Sequence, residues 1–327
     1  MKHIFLIAIS ILFINFKQPV AAQQNKKMGV PDEAGVYPKG TITKADVEEV
    51  VTFLASDALE GRDTGSKGLK KAAEFVEAKF SEYGVIPYFD SYLNTFDAKG
   101  TETFNVIGYL KGTDPVLSSE LIVIGAHLDH IGTATPVNGD VIANGANDNA
   151  AGSAAVILLA KHFASLKSNK RSILFILFGA EEKGLLGSKH IAKVLKEKNV
   201  NLYTMVNFEM IGVPLQDKSY KAYITGYEKS NMAEKMNAYA GSKLIGFLPK
   251  AKEFQLFTRS DNYSFFKEFQ IPAQTISTFD FTNYDYYHHV DDESSEMNFE
   301  FMSELINECV PVITSMSNTE IKEIKLN

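Results

Sequence analysis

Residues 121–153, LIVIGAHLDHIGTATPVNGDVIANGANDNAAGS, constrain the fold more than any other part of the chain. The segment opens on the apolar run Leu121-Ile122-Val123-Ile124-Gly125-Ala126, the composition of a strand buried on both faces. Where that run stops, His127, Asp129 and His130 supply three groups that ionise or bind metal. A loop rich in Gly and Asn then delivers Asp148, and small residues from Asn149 to Ser153 begin an apolar pattern with helical spacing. A histidine therefore leaves a strand end and a carboxylate precedes a helix start. In an open α/β sheet, that edge is where ligand sites form.

Two later runs repeat the arrangement. Residues 172–178 are continuously apolar after Ser172 and end in Gly179-Ala180-Glu181-Glu182; residues 203–208 end in Glu209. If the three strands are parallel, His127, Asp148, Glu181, Glu182 and Glu209 gather at one edge of the sheet. Like charges a few ångströms apart raise one another's pKa, so such a gathering calls for a cation. Histidine beside Asp and Glu, with no cysteine, favours zinc or a similar first-row divalent ion.

The rest of the chain predicts the same architecture. Helices are expected from a Thr43 cap through Leu54, up to Tyr83 before Gly84, and over residues 150–166, 185–198, 230–240, from 260 and over 298–317. Strands are expected at 104–110, 121–126, 172–178, 203–208, 220–225 and 273–277, with loops at 59–66 and 279–289. Strands alternating with helices predict a single α/β domain, with a mostly parallel central sheet flanked by helices on both faces.

Met1-Lys2-His3, the apolar residues 4–16 and Val20-Ala21-Ala22 read as a cleaved signal peptide over 1–22. The apolar core is about 13 residues, short of the roughly 20 that span a bilayer. A flexible leader is expected over 23–42, and the folded domain over 43–327. The lone Cys309 cannot form an internal disulfide, which fits an exported bacterial protein, periplasmic or secreted. A formal charge of −7 argues against nucleic acid as a partner. No membrane association is expected after signal cleavage, and the oligomeric state is not legible.

Each candidate site residue also has a plainer reading. Glu181 and Glu182 at a strand end can divide metal binding from proton transfer, or can simply favour the N-terminus of the next helix. Asp148 can be a ligand or an N-cap. His127 with Asp129 reads as a ligand and the carboxylate that orients it, and His130 stands behind them. In Tyr286-Tyr287-His288-His289, one His can bind metal and a Tyr can donate to an oxyanion, or the four form an aromatic surface patch. His162 and His190 fall in helical patterns and are expected to be structural. The sequence holds no GxSxG elbow, HExxH helix or P-loop.

Taken in order, Ala126-His127-Leu128-Asp129-His130, Asn147-Asp148-Asn149-Ala150-Ala151-Gly152, Gly179-Ala180-Glu181-Glu182, Asn207-Phe208-Glu209-Met210-Ile211-Gly212, Ser260-Asp261 and Tyr287-His288 resemble the motifs of the co-catalytic di-zinc exopeptidases. That family includes the secreted bacterial leucyl-type and Streptomyces-type aminopeptidases, the glutamate carboxypeptidases and transferrin receptor relatives. Gly61-Arg62 and Gly65-Ser66 match a further family loop. The resemblance implies a zinc-exopeptidase, phosphorylase/hydrolase-like fold over 43–327 and two Zn2+ ions. His127 and Glu209 would complete one metal, Glu182 and His288 the other, and Asp148 would bridge them. Glu181 would be general base to a zinc-bridging hydroxide, Tyr287 would steady the oxyanion, Asp129 would orient His127, and Asp292 sits where the family has an acid after its His. The family usually has Asp at the position of Glu209.

The expected function is removal of N-terminal residues from peptides by a zinc aminopeptidase. A carboxypeptidase or dipeptidase, for which Arg259 and Lys252 are the nearby cations, and a glutaminyl cyclase-like enzyme are the alternatives on the same scaffold. A non-catalytic binding module would have lost ligands, and every position here holds a competent donor.

Overall fold

The computed structural model describes residues 40–327. The expected signal peptide, and the leader up to residue 39, lie outside the described residues. Among the described residues the first element is helix α1 (Lys44–Leu54), capped by Thr43, whose hydroxyl accepts from the Asp46 N–H while the Asp46 carboxylate accepts from the Thr43 N–H. Ile42, just before it, is buried, and Asn307 pairs with both its N–H and its carbonyl. Helix α2 (Lys67–Tyr83) ends at Gly84. Strands β1 (Ile86–Pro87), β2 (Leu93–Ala98), β3 (Thr101–Leu110) and β4 (Leu121–His127) follow, then a small hairpin of β5 (Thr133–Val137) and β6 (Asp140–Ile142).

The order then alternates: α3 (Ala151–Leu166), β7 (Ser172–Phe178), α4 (Leu186–Glu197), β8 (Leu202–Glu209) and β9 (Ala222–Ile224). The chain closes through α5 (Met232–Ala240), β10 (Ile245–Gly246), α6 (Pro249–Glu253), α7 (Asn262–Phe269), β11 (Ala273–Ser277) and α8 (Phe299–Asn318). Among the described residues, nine strands form one sheet in the order β1-β3-β7-β4-β8-β11-β9-β10, with β2 paired to β3. The four central strands, β7-β4-β8-β11, are mutually parallel. The antiparallel pairings lie toward the edges, where β3 meets β7, β1 and β2, and where β9 meets β11.

The continuous apolar runs have a simple cause. Side chains alternate across a strand, so a strand covered on both faces must be apolar at every position. Ile122 and Ile124 of β4, with Ile173, Phe175 and Leu177 of β7, join the larger core under α1, α2, α3, α5 and α8. Val123, Leu174, Ile176 and Phe178 face the other way, onto α4 and α7. Gly125 is required where the ring of Phe178 crosses β4; an added Cβ would lie 2.6 Å from that ring. Among the described residues, no helix is long and apolar enough to cross a membrane.

Strand β2, the β5–β6 hairpin and helix α6 have no counterpart in the sequence reading. In β2 only Phe96 and Ala98 are buried, and Asn94, Thr95 and Asp97 break the apolar pattern. No residue of β5 or β6 is buried, so no hydrophobic alternation marks them.

Candidate metal centre

Parallel pairing puts the C-terminal ends of β4, β7, β8 and β11 on one edge, and the candidate residues stand there. His127 is the last residue of β4 and Glu209 the last of β8. Glu181 and Glu182 occupy the turn that leaves β7. Asp148 lies in a distorted turn, Ala146–Ala150, immediately before α3. The flanking asparagines explain that turn. Asn147 Oδ1 accepts the Gly212 N–H, and Asn149 Oδ1 accepts those of Gly152 and Met210 while its amide donates to the Phe208 carbonyl. Two side chains thus tie the Asp148 turn to the segment that leaves β8, satisfying buried backbone groups that no helix or strand serves.

The two oxygens of Asp148 face different partners. Oδ1 lies 3.2 Å from His127 Nε2, which is 2.8 Å from Glu209 Oε1. Oδ2 lies 3.3 Å from His288 Nε2, which is 3.2 Å from Glu182 Oε1. Among the described residues, two groups of donors could each hold an ion, their atoms within 4.8 Å of one another: His127, Asp148 and Glu209, and His130, Asp148, Glu182 and His288. His288 reaches the cluster from the loop between β11 and α8. Its neighbour His289 turns away, its Nδ1 accepting the Asp291 N–H.

The contacts behind these donors differ in part from the sequence reading. His127 Nδ1 is 2.9 Å from the main-chain carbonyl of Asp129, whereas the nearest Asp129 carboxylate oxygen is 4.0 Å away. That carboxylate instead accepts the N–H groups of Glu181 at 3.0 Å and Glu182 at 3.4 Å, so it shapes the turn that presents both glutamates. Asp292 accepts the N–H groups of Asn147 and Asp148, and among the described residues no hydrogen bond or ion pair joins it to His288. Sequence reasoning missed Ser260 as a partner of Glu209: its hydroxyl donates to Glu209 Oε2 at 2.5 Å and accepts from the Asn207 amide at 2.9 Å. The pair Ser260-Asp261 stands out as a motif, but nothing in its spacing reveals the contact. His162 and His190 stay outside the centre, one against the Gly40 carbonyl and the other stacked on Phe96.

The electrostatics match a site built for cations. Burial raises Asp129 to about 6 and Asp261 to about 7. Burial also holds the Glu181 carboxyl well above its usual range, with Glu209, Asp261 and Glu182 adding to the effect. His288 moves the opposite way. Burial lowers it, but the carboxylates of Asp148 and Glu182 outweigh that and push it up to about 10. Left to themselves these carboxylates recruit a proton onto an imidazole, which is the positive charge a metal ion brings. The hydrogen bond at His127 Nδ1 aims Nε2 at Glu209 and Asp148, whose charge holds a proton there that a cation would replace, and His288 Nε2 is buried with no hydrogen-bond partner although two carboxylate oxygens lie close by. The donor set fits two divalent ions.

A cavity of about 140 Å³ opens beside the donors. Asp148, Glu181, Glu182 and Glu209 line it, with Phe279, Phe281, Tyr287 and Arg259 also on its wall. Tyr287 is half exposed, stacked on Phe279 and on His288. Lys252 lines a separate cavity.

Residues 105–310 match the model of peptidase family M28. Leupeptin-inactivating enzyme 1 of Streptomyces exfoliatus is 32% identical over 174 residues, 52% of this chain and 36% of that enzyme. The chain spans less than half the length of the curated relatives it matches. The LapA aminopeptidase of Legionella pneumophila superposes with a TM-score of 0.66 at 22% identity, over 86% of this chain and 74% of that one. Porphyromonas gingivalis glutaminyl cyclase gives 0.65 at 15% identity, over 84% of this chain and 98% of that one. Both likenesses are of fold. With the family match covering the four central strands, the donor-bearing turns and most of α8, the chain belongs to peptidase family M28.

Proposed function

We propose that this protein is a zinc-dependent aminopeptidase with two metal ions. The observation that carries the proposal is the division of Asp148, one oxygen toward His127 and Glu209 and the other toward Glu182 and His288. His127 and Glu209 would hold one ion, Glu182 and His288 the other, and Asp148 both. When bound, such ions supply Lewis acidity that polarises a carbonyl and acidifies water.

The chain's own groups do the rest. Glu181 stands on the cavity wall outside both donor groups, with a carboxylate that burial makes a better base. It accepts a proton from water and later returns it to the leaving amine. The Tyr287 hydroxyl, held protonated by burial and the surrounding carboxylates, donates to the developing oxyanion. The Asp129 carboxylate keeps the Glu181-Glu182 turn in place. Phe279 and Phe281 give the substrate's first side chain an apolar wall.

The relatives named as aminopeptidases support the choice of the N-terminal end. The test is mass-spectrometric cleavage of a mixed peptide set with free and acetylated N-termini, with and without a chelator. Stepwise N-terminal trimming, blocked by acetylation and by chelation, is expected. Trimming from the C-terminus would instead make Arg259 a carboxylate clamp, and conversion of N-terminal Gln to pyroglutamate without cleavage would make the enzyme a cyclase. We further propose that residues 1–22 direct export and that residues 43–327 form the catalytic domain. Cell fractionation finding the protein in the cytosol, with Met1 retained, would refute export.

A further inference from the structure

His130 lies within donor distance of the Asp148, Glu182 and His288 group. It is fully buried in the loop leaving β4, where its N–H donates to the Arg62 carbonyl. Its ring lies against Gly145, whose φ is +60°; a Cβ added there would come within 2.6 Å of the imidazole. No side chain larger than hydrogen fits beside it, so the Gly145 backbone packs directly against the ring. From that position Nδ1 is 3.0 Å from Glu182 Oε1 and 3.8 Å from Asp148 Oδ2. Nε2 is buried with no partner.

These distances can be compared with a coordination shell. Zinc–nitrogen and zinc–oxygen bonds of about 2.0–2.1 Å in a tetrahedron set neighbouring donors roughly 3.3 Å apart. The four imidazole-to-carboxylate edges, from His130 Nδ1 and His288 Nε2 to Glu182 Oε1 and Asp148 Oδ2, run from 3.0 to 3.8 Å, and all the donor atoms of the group lie within 4.8 Å of one another. We infer that His130 is a fourth protein ligand of the ion held by Glu182 and His288, an inference that rests on the two-metal reading above. The two sites then differ in donor count: four protein donors at one, and three, His127, Asp148 and Glu209, at the other. With fewer protein donors, the ion at the three-donor site is the weaker bound and the first to leave.

A simpler possibility is that Nδ1–H donates to Glu182 and only positions it. Loss of such a contact also weakens metal binding, by about 10–100-fold, so affinity alone does not separate the two roles. The count of coordinated imidazoles does. In the cobalt-substituted full protein, proton NMR should show three hyperfine-shifted, exchangeable imidazole N–H signals, from His127, His130 and His288. His130→Ala should show two, and should hold one of its two zinc ions at least 10-fold more weakly in chelator competition, with the other unchanged. His130→Asn, which keeps a polar atom near the Nδ1 position, should recover part of that affinity. Two signals from wild-type protein carrying two cobalt ions would overturn the inference and leave the two-metal reading intact. Failure to bind a second ion at all would overturn both.

Discussion

Asp292 accepts the backbone N–H of Asp148 at 3.1 Å, so the residue that faces both donor groups is held in place by a carboxylate four residues beyond His288. The same carboxylate takes the Asn147 N–H at 2.7 Å and the Tyr284 hydroxyl at 2.6 Å. Three buried donors converge on one side chain. Asp292→Ala strands all of them, and a stability loss of at least about 3 kcal/mol is expected in urea unfolding. Because the Asp148 turn loses its anchor, zinc affinity should also fall by about 10–100-fold in chelator competition. A variant that unfolds earlier but binds zinc as before would show that Asp292 supports the fold without positioning the ligand.

Glu181→Gln separates chemistry from metal binding. Turnover should drop by about 10²–10⁴-fold with zinc content unchanged, since the group stands outside both donor sets. Stability should move the other way. A carboxyl whose folded pKa lies above its ordinary value of 4.5 penalises the folded state once pH passes that value, and the penalty grows until the folded pKa is reached. Glutamine carries no charge to bury. The metal-free variant should therefore melt higher than the metal-free parent at pH 7, by roughly 2 °C or more, and the two should converge near pH 4. Calorimetry on chelated protein checks this, and equal melting at both pH values would remove the electrostatic argument.

The central strands are legible in the sequence because double burial leaves an unmistakable mark. Residues 172–178 and 273–277 have the predicted bounds, and each strand end with its acidic or imidazole group is readable once the strands are taken as parallel. Edge strands carry no such mark, and β2 with Asn94 and Asp97 shows why. At the site, spacing reveals residue types and chain order but not which atom of a residue makes the contact. Asp129 lies two residues from His127, as an orienting carboxylate would, yet its main-chain carbonyl makes that bond and its side chain serves the Glu181-Glu182 turn. The place of His130 depends on Gly145 and Arg62, and that of Ser260 on a helix approach 51 residues after Glu209. These are products of tertiary contact, invisible to spacing.

Arg62 is the fastener of the loops around the centre. Its buried guanidinium donates to the carbonyls of Leu54, Leu128, Asn144 and Gly145, joining the end of α1, the segment after β4 and the approach to Asp148. A planar fork with five donors can serve four carbonyls at once, and an ammonium cannot. Arg62→Lys should lose about 2 kcal/mol or more, and Arg62→Met about 3–5 kcal/mol, because the stranded carbonyls stay buried. Urea unfolding midpoints check both, and a loss below about 1 kcal/mol for the methionine variant would mean that water reaches those carbonyls.

Glu209 stands where the family resemblance leads one to expect Asp, and the surroundings account for the longer acid. One oxygen is 2.8 Å from His127 Nε2 and the other accepts the Ser260 hydroxyl, which Asn207 holds in turn. Glu209→Asp shortens the side chain by one carbon–carbon bond, about 1.5 Å. The carboxylate can then keep its place beside His127 or its hydrogen bond to Ser260, but not both. The zinc held by His127 should be lost at least 10-fold more readily, while the ion at Glu182 and His288 stays. Ser260→Ala removes only the support and should have a smaller effect, about 10-fold. Zinc per protein after dialysis against graded chelator reads both variants. A Glu209→Asp variant that kept two ions as tightly as the parent would mean that the His127 site tolerates either acid, and that the Ser260 contact serves the fold alone.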